Sequence, residues 1–298
     1  MTAPNVGNPT HPAVTNQLRL PRTTALGPGR GGQQRLLIDA PAGAAEIYLH
    51  GAQLTSWVPR AGSEVLFTSR QAVYDGVASV RGGVPLCLPW FGLGPRGTDS
   101  PKHGWGRHVD WVLREVEPHG DGVVARLETE HDGVAARYEV CVGEALSLSL
   151  SLRGTGAEPV LTEMAIHTYL RVGDVTGVEI TGLEGARYED ALDGFAWRTQ
   201  GDGPLTVNGP VDRVYQCQGP VAVSDPALGR RVVSRPQGAT NVVVWNPWAD
   251  LARDLADMAD DEFASMVCVE TASVRSHART LAPGESWSVG VRYTVEQL

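Results

Sequence analysis

A loop rich in cationic side chains is the first candidate for chemistry. From Val80 to Arg107 the sequence is VRGGVPLCLPWFGLGPRGTDSPKHGWGR, a long connection dense in glycine, proline and aromatic residues. Its cationic and imidazole side chains include Arg81, Lys102, His103 and Arg107. Guanidinium groups bind phosphate oxygens bidentately, and neighbouring glycines would let an anion reach backbone N–H groups. The loop is therefore a candidate anion site, unless these cations pair with some of the chain's 34 carboxylates.

A histidine and a glutamate are the candidate acid and base. In an extended strand over residues 162–172, His167 shares a polar face with Tyr169, which is typical of a groove lining. The alternative is an ordinary solvated histidine. Glu270 ends the nearly continuous apolar run 263–269, so we expect it at the rim of a buried strand. Partial desolvation there would raise its pKa and favour general-base catalysis, whereas an ordinary strand-end acid would simply meet water.

Two other chemistries are less favoured by the spacing of residues. A glycosidase with paired carboxylates would need a second acid such as Glu163 or Asp212, whose distance from Glu270 the sequence does not fix. A metal site is disfavoured because His103 and His108 are not accompanied by an HxxH, HExxH or CxxC motif.

The pattern around these residues predicts an all-β chain. Leu146, Leu148, Leu150 and Leu152 alternate with small residues, the period of a half-buried strand. Comparable runs occupy Arg35–Asp39, Ala45–Leu49, Gln53–Val58, Gly122–Thr129, Ala135–Val142, Val160–Val172, Asn241–Trp245, Ser265–Glu270 and Ser286–Val295. About eighteen short strands fit one large antiparallel β-sandwich. One helix is expected at Trp248–Met258, with at most one more.

Composition excludes several classes of protein. The 298 residues include 25 basic and 34 acidic side chains, for a net charge of −9, which argues against nucleic acid as a partner. Of the basic residues, all but Lys102 are arginines. No apolar stretch reaches the ~18–20 residues of a membrane span, and the N-terminus does not resemble a signal peptide, so we expect a cytoplasmic protein. We also expect residues 1–33 to be a flexible lead-in and residues 34–298 to form a single domain.

The four cysteines are not expected to form a disulfide framework. Cys87, Cys141, Cys217 and Cys268 are far apart, and three of them lie in apolar or strand-like runs. They are typical of small buried hydrophobic residues.

Six motifs in order resemble the glucose-6-phosphate 1-epimerase family, the hexose-6-phosphate mutarotase branch of the aldose 1-epimerases. They are Arg81–Pro85 with Pro89–Gly92, His103–Arg107, Ile166–Tyr169 followed by Val172–Asp174, Asp212–Tyr215, Trp245–Trp248 and Met266–Glu270. The resemblance extends from about residue 36 to residue 295 and implies a galactose-mutarotase-like β-sandwich.

The resemblance also implies the roles of individual residues. His167 would be the general acid and Glu270 the general base of a cofactor-independent ring opening and reclosure. Arg81 and Arg107 would bind the sugar phosphate, and Asp212 a sugar hydroxyl. His103 belongs to the same binding motifs.

Two positions depart from the family pattern. Lys102 stands where relatives usually have glutamine, and Gly106 where they usually have alanine. Lys102 would add a third cation for the phosphate or would mark a different substrate preference.

The expected function is therefore that of an isomerase in carbohydrate metabolism, which interconverts the anomers of a hexose 6-phosphate. A non-catalytic carbohydrate-binding protein and a mutarotase for neutral aldoses are the alternatives. We expect a monomer whose partner is a small sugar phosphate, with no membrane or nucleic-acid partner.

Overall fold

The protein is described by a computed structural model of residues 18–298. In this range the strands are β1 (Thr24–Pro28), β2 (Gln34–Ala40), β3 (Gly43–Tyr48), β4 (Gln53–Pro59), β5 (Leu86–Cys87), β6 (Val112–His119), β7 (Gly122–His131), β8 (Val134–Val142), β9 (Leu146–Gly154), β10 (Val160–Thr162), β11 (Met164–Ile166), β12 (Tyr169–Arg171), β13 (Glu179–Thr181), β14 (Arg187–Asp190), β15 (Ala196–Thr199), β16 (Val211–Gln216), β17 (Val221–Asp225), β18 (Arg230–Gln237), β19 (Asn241–Asn246), β20 (Met266–Ser273), β21 (Arg279–Leu281) and β22 (Ser286–Gln297). The α-helix is α1 (Trp248–Asp254), and short 3₁₀ turns occupy Arg30–Gly32, Val175–Gly177, Ala191–Asp193, Glu262–Ser265 and Arg275–His277.

Two eight-stranded antiparallel sheets form the body of the molecule. The first has the order β15-β14-β16-β19-β20-β11-β5, with β12 also paired to β20, and we call it the site sheet. The second has the order β13-β17-β18-β22-β9-β8-β7-β6. A four-stranded sheet, β1 to β4, and the pair β10-β21 complete the strands. The predicted antiparallel all-β fold is confirmed, with more strands than the roughly eighteen expected.

The main core lies between the sheets and contains one face of each. The alternating leucines of β9 all join it, and so do Val242 and Val244 of β19 and Val267 and Val269 of β20. The intervening residues of the site sheet point to its other face, as the two-residue period of a strand requires. On that face Val243 and Cys268 belong to separate small clusters, and this is where the candidate residues lie.

The helix is shorter than predicted. It ends at Asp254 instead of Met258, because Leu255 adopts an extended backbone with φ −91° and ψ 100°. Met258 is nevertheless buried, packed with Phe67 and Met266 in one of the small clusters. Its apolar character therefore reflects a packed loop and not a third helical turn.

The predicted lead-in is also too long. Residues 24–28 form β1, which pairs in register with β2 from Thr24↔Ile38 to Pro28↔Gln34. Residues 1–17 lie outside the described part of the chain.

All four cysteines are free, with Cys87 and Cys268 buried. No helix within residues 18–298 has the length and apolar character needed to cross a membrane.

Candidate active site

One cavity of about 1090 Å³ on the outer face of the site sheet collects the predicted site residues. Its lining includes Arg81, Lys102, His103, Arg107, His167, Asp212 and Glu270. The long loop of residues 80–107 supplies the first four of these, so its prediction as a functional loop agrees with its place in the fold.

His167 and Glu270 are adjacent because of a break in one strand. The predicted continuous strand over 160–172 is wrong: His167 lies between β11 and β12, which both pair with β20. The chain turns there because Thr168 N–H donates to Ile166 O at 3.0 Å. The resulting register places His167 Nε2 3.4 Å from Glu270 Oε1.

Glu270 does not end its strand, as the sequence had predicted. It lies inside β20, which continues through small residues to Ser273, and its side chain is only 1% exposed. Burial raises the pKa of this carboxyl well above its ordinary value, and the nearby Asp212 carboxylate adds to the rise. Its Oε2 atom is buried without a hydrogen-bond partner in residues 18–298.

His167 is held by aromatic rings on several sides. Its imidazole stacks on Tyr169 at 4.9 Å with an angle of 11° between planes, and Trp245 meets it nearly edge-on at 6.3 Å. Burial lowers the pKa of His167 well below its ordinary value, and the positive charges of Arg107 and Arg81 lower it further.

These opposite shifts favour a pair that holds one proton between its members. That proton can be on Glu270, with both groups neutral, or on His167, with both groups charged. Desolvation favours the neutral form, because both charged groups would be buried. Transfer of one proton across the 3.4 Å contact between His167 Nε2 and Glu270 Oε1 converts one form into the other. The pair can therefore present an acid and a base to a substrate at the same time.

The cations of the cavity differ in their partners. Arg81 Nε donates to Asp257 Oδ1 at 3.1 Å, and Arg81 Nη1 donates to the Tyr169 hydroxyl at 3.1 Å. Arg107 Nη2 donates to the backbone carbonyl of Lys102 at 2.8 Å. Between residues 18 and 298, neither Arg107 nor Lys102 has a carboxylate within 4 Å. These two side chains are thus the cations available to an incoming anion.

His103 presents a defined hydrogen-bond donor. The backbone N–H of Gly92 donates to His103 Nδ1 at 3.2 Å, so that nitrogen is an acceptor. Burial lowers the pKa of His103 well below its ordinary value, and Arg107 lowers it further, so the ring is neutral. The proton of the neutral ring must then be on Nε2, which is a donor.

The glycines of the loop have a different role from the one expected. A Cβ on Gly83, whose φ is +62°, would lie 2.2 Å from Leu54 O, and one on Gly104 would lie 2.0 Å from Leu88 O. These positions are occupied by the protein's own backbone, not by space for an anion. Gly83 and Gly104 are therefore required for close packing of the loop on its neighbours, whereas Gly92 and Gly97 have open space where a Cβ would lie.

Asp212 occupies the floor of the cavity on β16, directly across from Trp245 of β19. Burial raises the pKa of Asp212 to about 6, although Lys102 opposes the rise. The carboxylate is suited to accept a hydrogen bond from a neutral hydroxyl.

The cavity residues that were not predicted as site residues include Asp257, Trp245, Glu189 and Arg275. Asp257 follows the helix in a loop and carries no local signal, whereas Trp245 belongs to the recognised motif Trp245–Trp248. Glu189 and Arg275 form an ion pair at 2.7 Å, and only tertiary structure brings them together.

One group of side chains has the geometry of a possible metal site. Ligand atoms of His167, Cys268 and Glu270 lie within 4.8 Å of one another, and all three residues are buried. A metal would need the thiolate of Cys268, yet burial raises the pKa of that thiol well above its ordinary value. It would also occupy both members of the acid–base pair, so the donor set is poorly suited to a resident ion.

Comparisons with known proteins agree with this geometry. Residues 34–294 match the aldose 1-epimerase family. A protein of Cenchrus ciliaris named "Putative glucose-6-phosphate 1-epimerase" is 32% identical over 262 residues, which are 82% of this chain and 78% of the relative. A protein of the same name from Escherichia coli K12 is 33% identical over 247 residues, 80% of this chain and 82% of the relative.

A solved structure extends the likeness to the fold. The crystal structure described as "a putative mutarotase" from Salmonella typhimurium has a TM-score of 0.86 and 27% identity, and covers 94% of this chain and 96% of the other. The chain therefore belongs to the aldose 1-epimerase family. It is an epimerase that acts on the anomeric centre of a sugar.

Proposed function

We propose that the protein interconverts the α and β anomers of a hexose 6-phosphate, with glucose 6-phosphate as the first candidate. The observation that carries the proposal is a buried carboxylate–imidazole pair, Glu270 and His167, in one cavity with Lys102 and Arg107, two cations that have no carboxylate within 4 Å in residues 18–298. The names of the two relatives from Cenchrus ciliaris and Escherichia coli point to the same substrate.

Ring opening uses both members of the pair. With the shared proton on His167, the Glu270 carboxylate accepts the proton of the anomeric O1–H while His167 donates its proton to the ring oxygen O5. The C1–O5 bond breaks, O1 becomes the aldehyde oxygen, and O5 becomes the C5 hydroxyl. Glu270 and His167 are then both neutral, the form that burial favours.

Reclosure reverses these transfers after rotation about C1–C2. The C5 hydroxyl attacks the other face of the aldehyde and returns its proton to His167, while Glu270 protonates the former carbonyl oxygen. The two groups recover their starting state, so no other reactant is consumed. A positioned acid or base typically contributes ~10²–10⁴-fold in rate.

The remaining residues would bind the substrate. Lys102 and Arg107 would hold the phosphate, and Nη2 of Arg81, which donates no hydrogen bond within residues 18–298, would supply a third contact. Because a phosphate dianion beside His167 stabilises positive charge, it would draw the shared proton from Glu270 to the imidazole. His103 Nε2–H would donate to a sugar oxygen, and Asp212 would accept from a hydroxyl.

Anomer exchange of glucose 6-phosphate, measured by saturation-transfer NMR, tests the reaction. We expect His167→Ala and Glu270→Gln each to reduce the rate by ~10²–10⁴-fold. The control is His119→Ala, a histidine outside the cavity on the exposed end of β6, which should exchange the sugar at the wild-type rate. Calorimetric binding of the sugar phosphate without accelerated exchange would instead identify a carbohydrate-binding protein.

A comparison of substrates tests the phosphate assignment. Arg107→Ala should reduce kcat/KM for glucose 6-phosphate by at least about tenfold more than for free glucose, because only the phosphate meets the lost guanidinium. Equal losses for both sugars would favour a mutarotase for neutral aldoses.

A further inference from the structure

We infer that Glu163 is a positioning residue, whose carboxylate fixes the loop that carries His103 and thereby the donor that His103 offers to the sugar. This inference rests on the proposed function for its kinetic meaning, but the contacts that support it do not. Glu163 is 2% exposed and lines the cavity without a place in the acid–base chemistry described above.

Both carboxylate oxygens of Glu163 are already occupied. Oε2 accepts the backbone N–H of Phe91 at 2.9 Å, and Oε1 accepts the backbone N–H of Arg275 at 2.5 Å. The backbone N–H of Glu163 also donates to Pro89 O at 2.7 Å. In contrast to Glu270, whose Oε2 lacks a partner in residues 18–298, Glu163 is committed to backbone groups and is not free to exchange protons with a substrate.

The contacts of Glu163 lead directly to His103. Phe91 is followed by Gly92, which donates its N–H to His103 Nδ1 at 3.2 Å and accepts the backbone N–H of His103 at 2.7 Å. The Phe91 ring meets the imidazole edge-on at 4.7 Å, and the same imidazole lies 5.7 Å from the ring of His167. A displacement of Phe91 would therefore change which His103 nitrogen carries the proton.

The backbone at both ends of this arrangement needs an anchor. His103 has a φ of +68° and Arg275 a φ of +59°, conformations that residues other than glycine rarely adopt. Such conformations persist where the surroundings over-determine them. Glu163 holds Arg275 directly and His103 through the Phe91–Gly92 peptide.

A carboxylate is the side chain that satisfies two converging N–H groups. Glutamine offers one acceptor oxygen and would turn its NH₂ group toward the other N–H donor. Aspartate keeps the charge but is one methylene shorter, so it can hold only one of the two loops. Either substitution should therefore release one of them.

The kinetic test compares Glu163→Gln with Glu64→Gln. Glu64 also accepts two backbone N–H groups, from Trp57 and Leu66, but both bind its Oε1, which glutamine retains, and Glu64 lies outside the cavity. It is therefore a control for loss of a carboxylate charge that anchors backbone elsewhere. In Glu163→Gln we expect KM for glucose 6-phosphate to rise about tenfold, equivalent to about 1.4 kcal/mol, while kcat changes less than about threefold because the acid–base pair is intact. Glu64→Gln should leave KM unchanged, and an equal rise in both variants would overturn the inference.

The second readout is independent of activity. Nitrogen-15 NMR of labelled histidine should show His103 Nδ1 unprotonated in the wild type, with the signal assigned by its loss in His103→Gln. In Glu163→Gln the two ring nitrogens should shift toward each other as the tautomers mix, whereas Glu64→Gln should match the wild type. An unchanged His103 signal in Glu163→Gln would refute the positioning role.

Two further outcomes remain decisive. If Glu163→Gln does not fold, Glu163→Asp is measured in its place, with the same expected shift of the His103 signals. If the wild type shows no anomer exchange, the proposed function fails while the His103 signals still decide the role of Glu163.

Discussion

Replacing Glu270 with glutamine should stabilise the fold as it removes the activity, and the gain should grow with pH. Glu270 is 1% exposed, and burial raises the pKa of its carboxyl well above the ordinary value of 4.5. Above pH 4.5 the unfolded chain releases this proton while the native pair retains it. A raised native pKa therefore contributes stability that is complete below the unfolded pKa and is lost as pH rises through the native pKa. The introduced glutamine does not titrate and escapes this loss.

The size of the effect follows from counting protons. One proton bound by the native state and not by the unfolded state changes the free energy of unfolding by ~1.4 kcal/mol per pH unit. We therefore compare the free energy of unfolding of Glu270→Gln with that of the wild type. The difference should grow in favour of the variant by ~1.4 kcal/mol for each pH unit above 4.5 through which the native pair keeps its proton. The count is the same whether Glu270 or His167 carries that proton. For a domain of this size each kcal/mol corresponds to about 2 °C in Tm.

Urea unfolding at a series of pH values from 4 to 9 measures this difference. Val269→Ala provides the control, since Val269 neighbours Glu270 in β20 but packs in the main core. That substitution lowers stability without removing a titrating group, so its curve should stay parallel to that of the wild type. A parallel curve for Glu270→Gln would show that the buried carboxyl does not hold a proton above its ordinary range.

Two further substitutions test the cavity floor and the loop. In the wild type, KM should rise as pH falls through about 6, because Asp212 protonates there and loses acceptor capacity. Asp212→Asn should remove this rise, and comparison of the two proteins cancels the titration of the substrate phosphate. A rise that persists in the variant would exclude Asp212 as its source. Gly83→Ala should lower the free energy of unfolding by at least about 2 kcal/mol, because its Cβ would lie 2.2 Å from Leu54 O at a φ of +62°. Gly219→Ala, with open space around its Cβ, should be nearly neutral in the same urea titration.

The cavity differs in charge from the chain as a whole. With a net charge of −9 the chain as a whole repels anions at long range. Lys102 and Arg107 place positive charge at the cavity with no carboxylate within 4 Å in residues 18–298, whereas Arg81 is paired with Asp257. The cations of the cavity are thus opposite in sign to the net charge of the chain.

The sequence predicted which residues share a cavity better than how the chain brings them together. Recognisable motifs led to His167 and Glu270 as the candidate pair, and all seven predicted residues line one cavity. The proximity of His167 and Glu270 was not predictable from the sequence. It depends on the break between β11 and β12, which places His167 beside Glu270 of the neighbouring strand β20. The apolar run before Glu270 correctly indicated a buried strand, but the small residues Ala272 and Ser273 gave no sign that the strand continues.

Local patterns failed where tertiary packing decides the structure. A helix was predicted as far as Met258, yet Leu255 and Met258 pack in a small apolar cluster from a loop. The glycine- and proline-rich segment before residue 34 had the composition of a flexible tail, but pairing with β2 orders Thr24–Pro28. Neither outcome is encoded within the segment itself.

Strand β20 sits in the interior of the site sheet, between β19 on one side and β11 and β12 on the other. Its residues alternate between the main core, where Val269 packs, and the cavity, where Glu270 lies. Amide hydrogens of such a strand exchange with solvent only through openings that approach global unfolding. The backbone amide of Glu270 should therefore exchange with solvent only at the rate at which the sandwich itself unfolds.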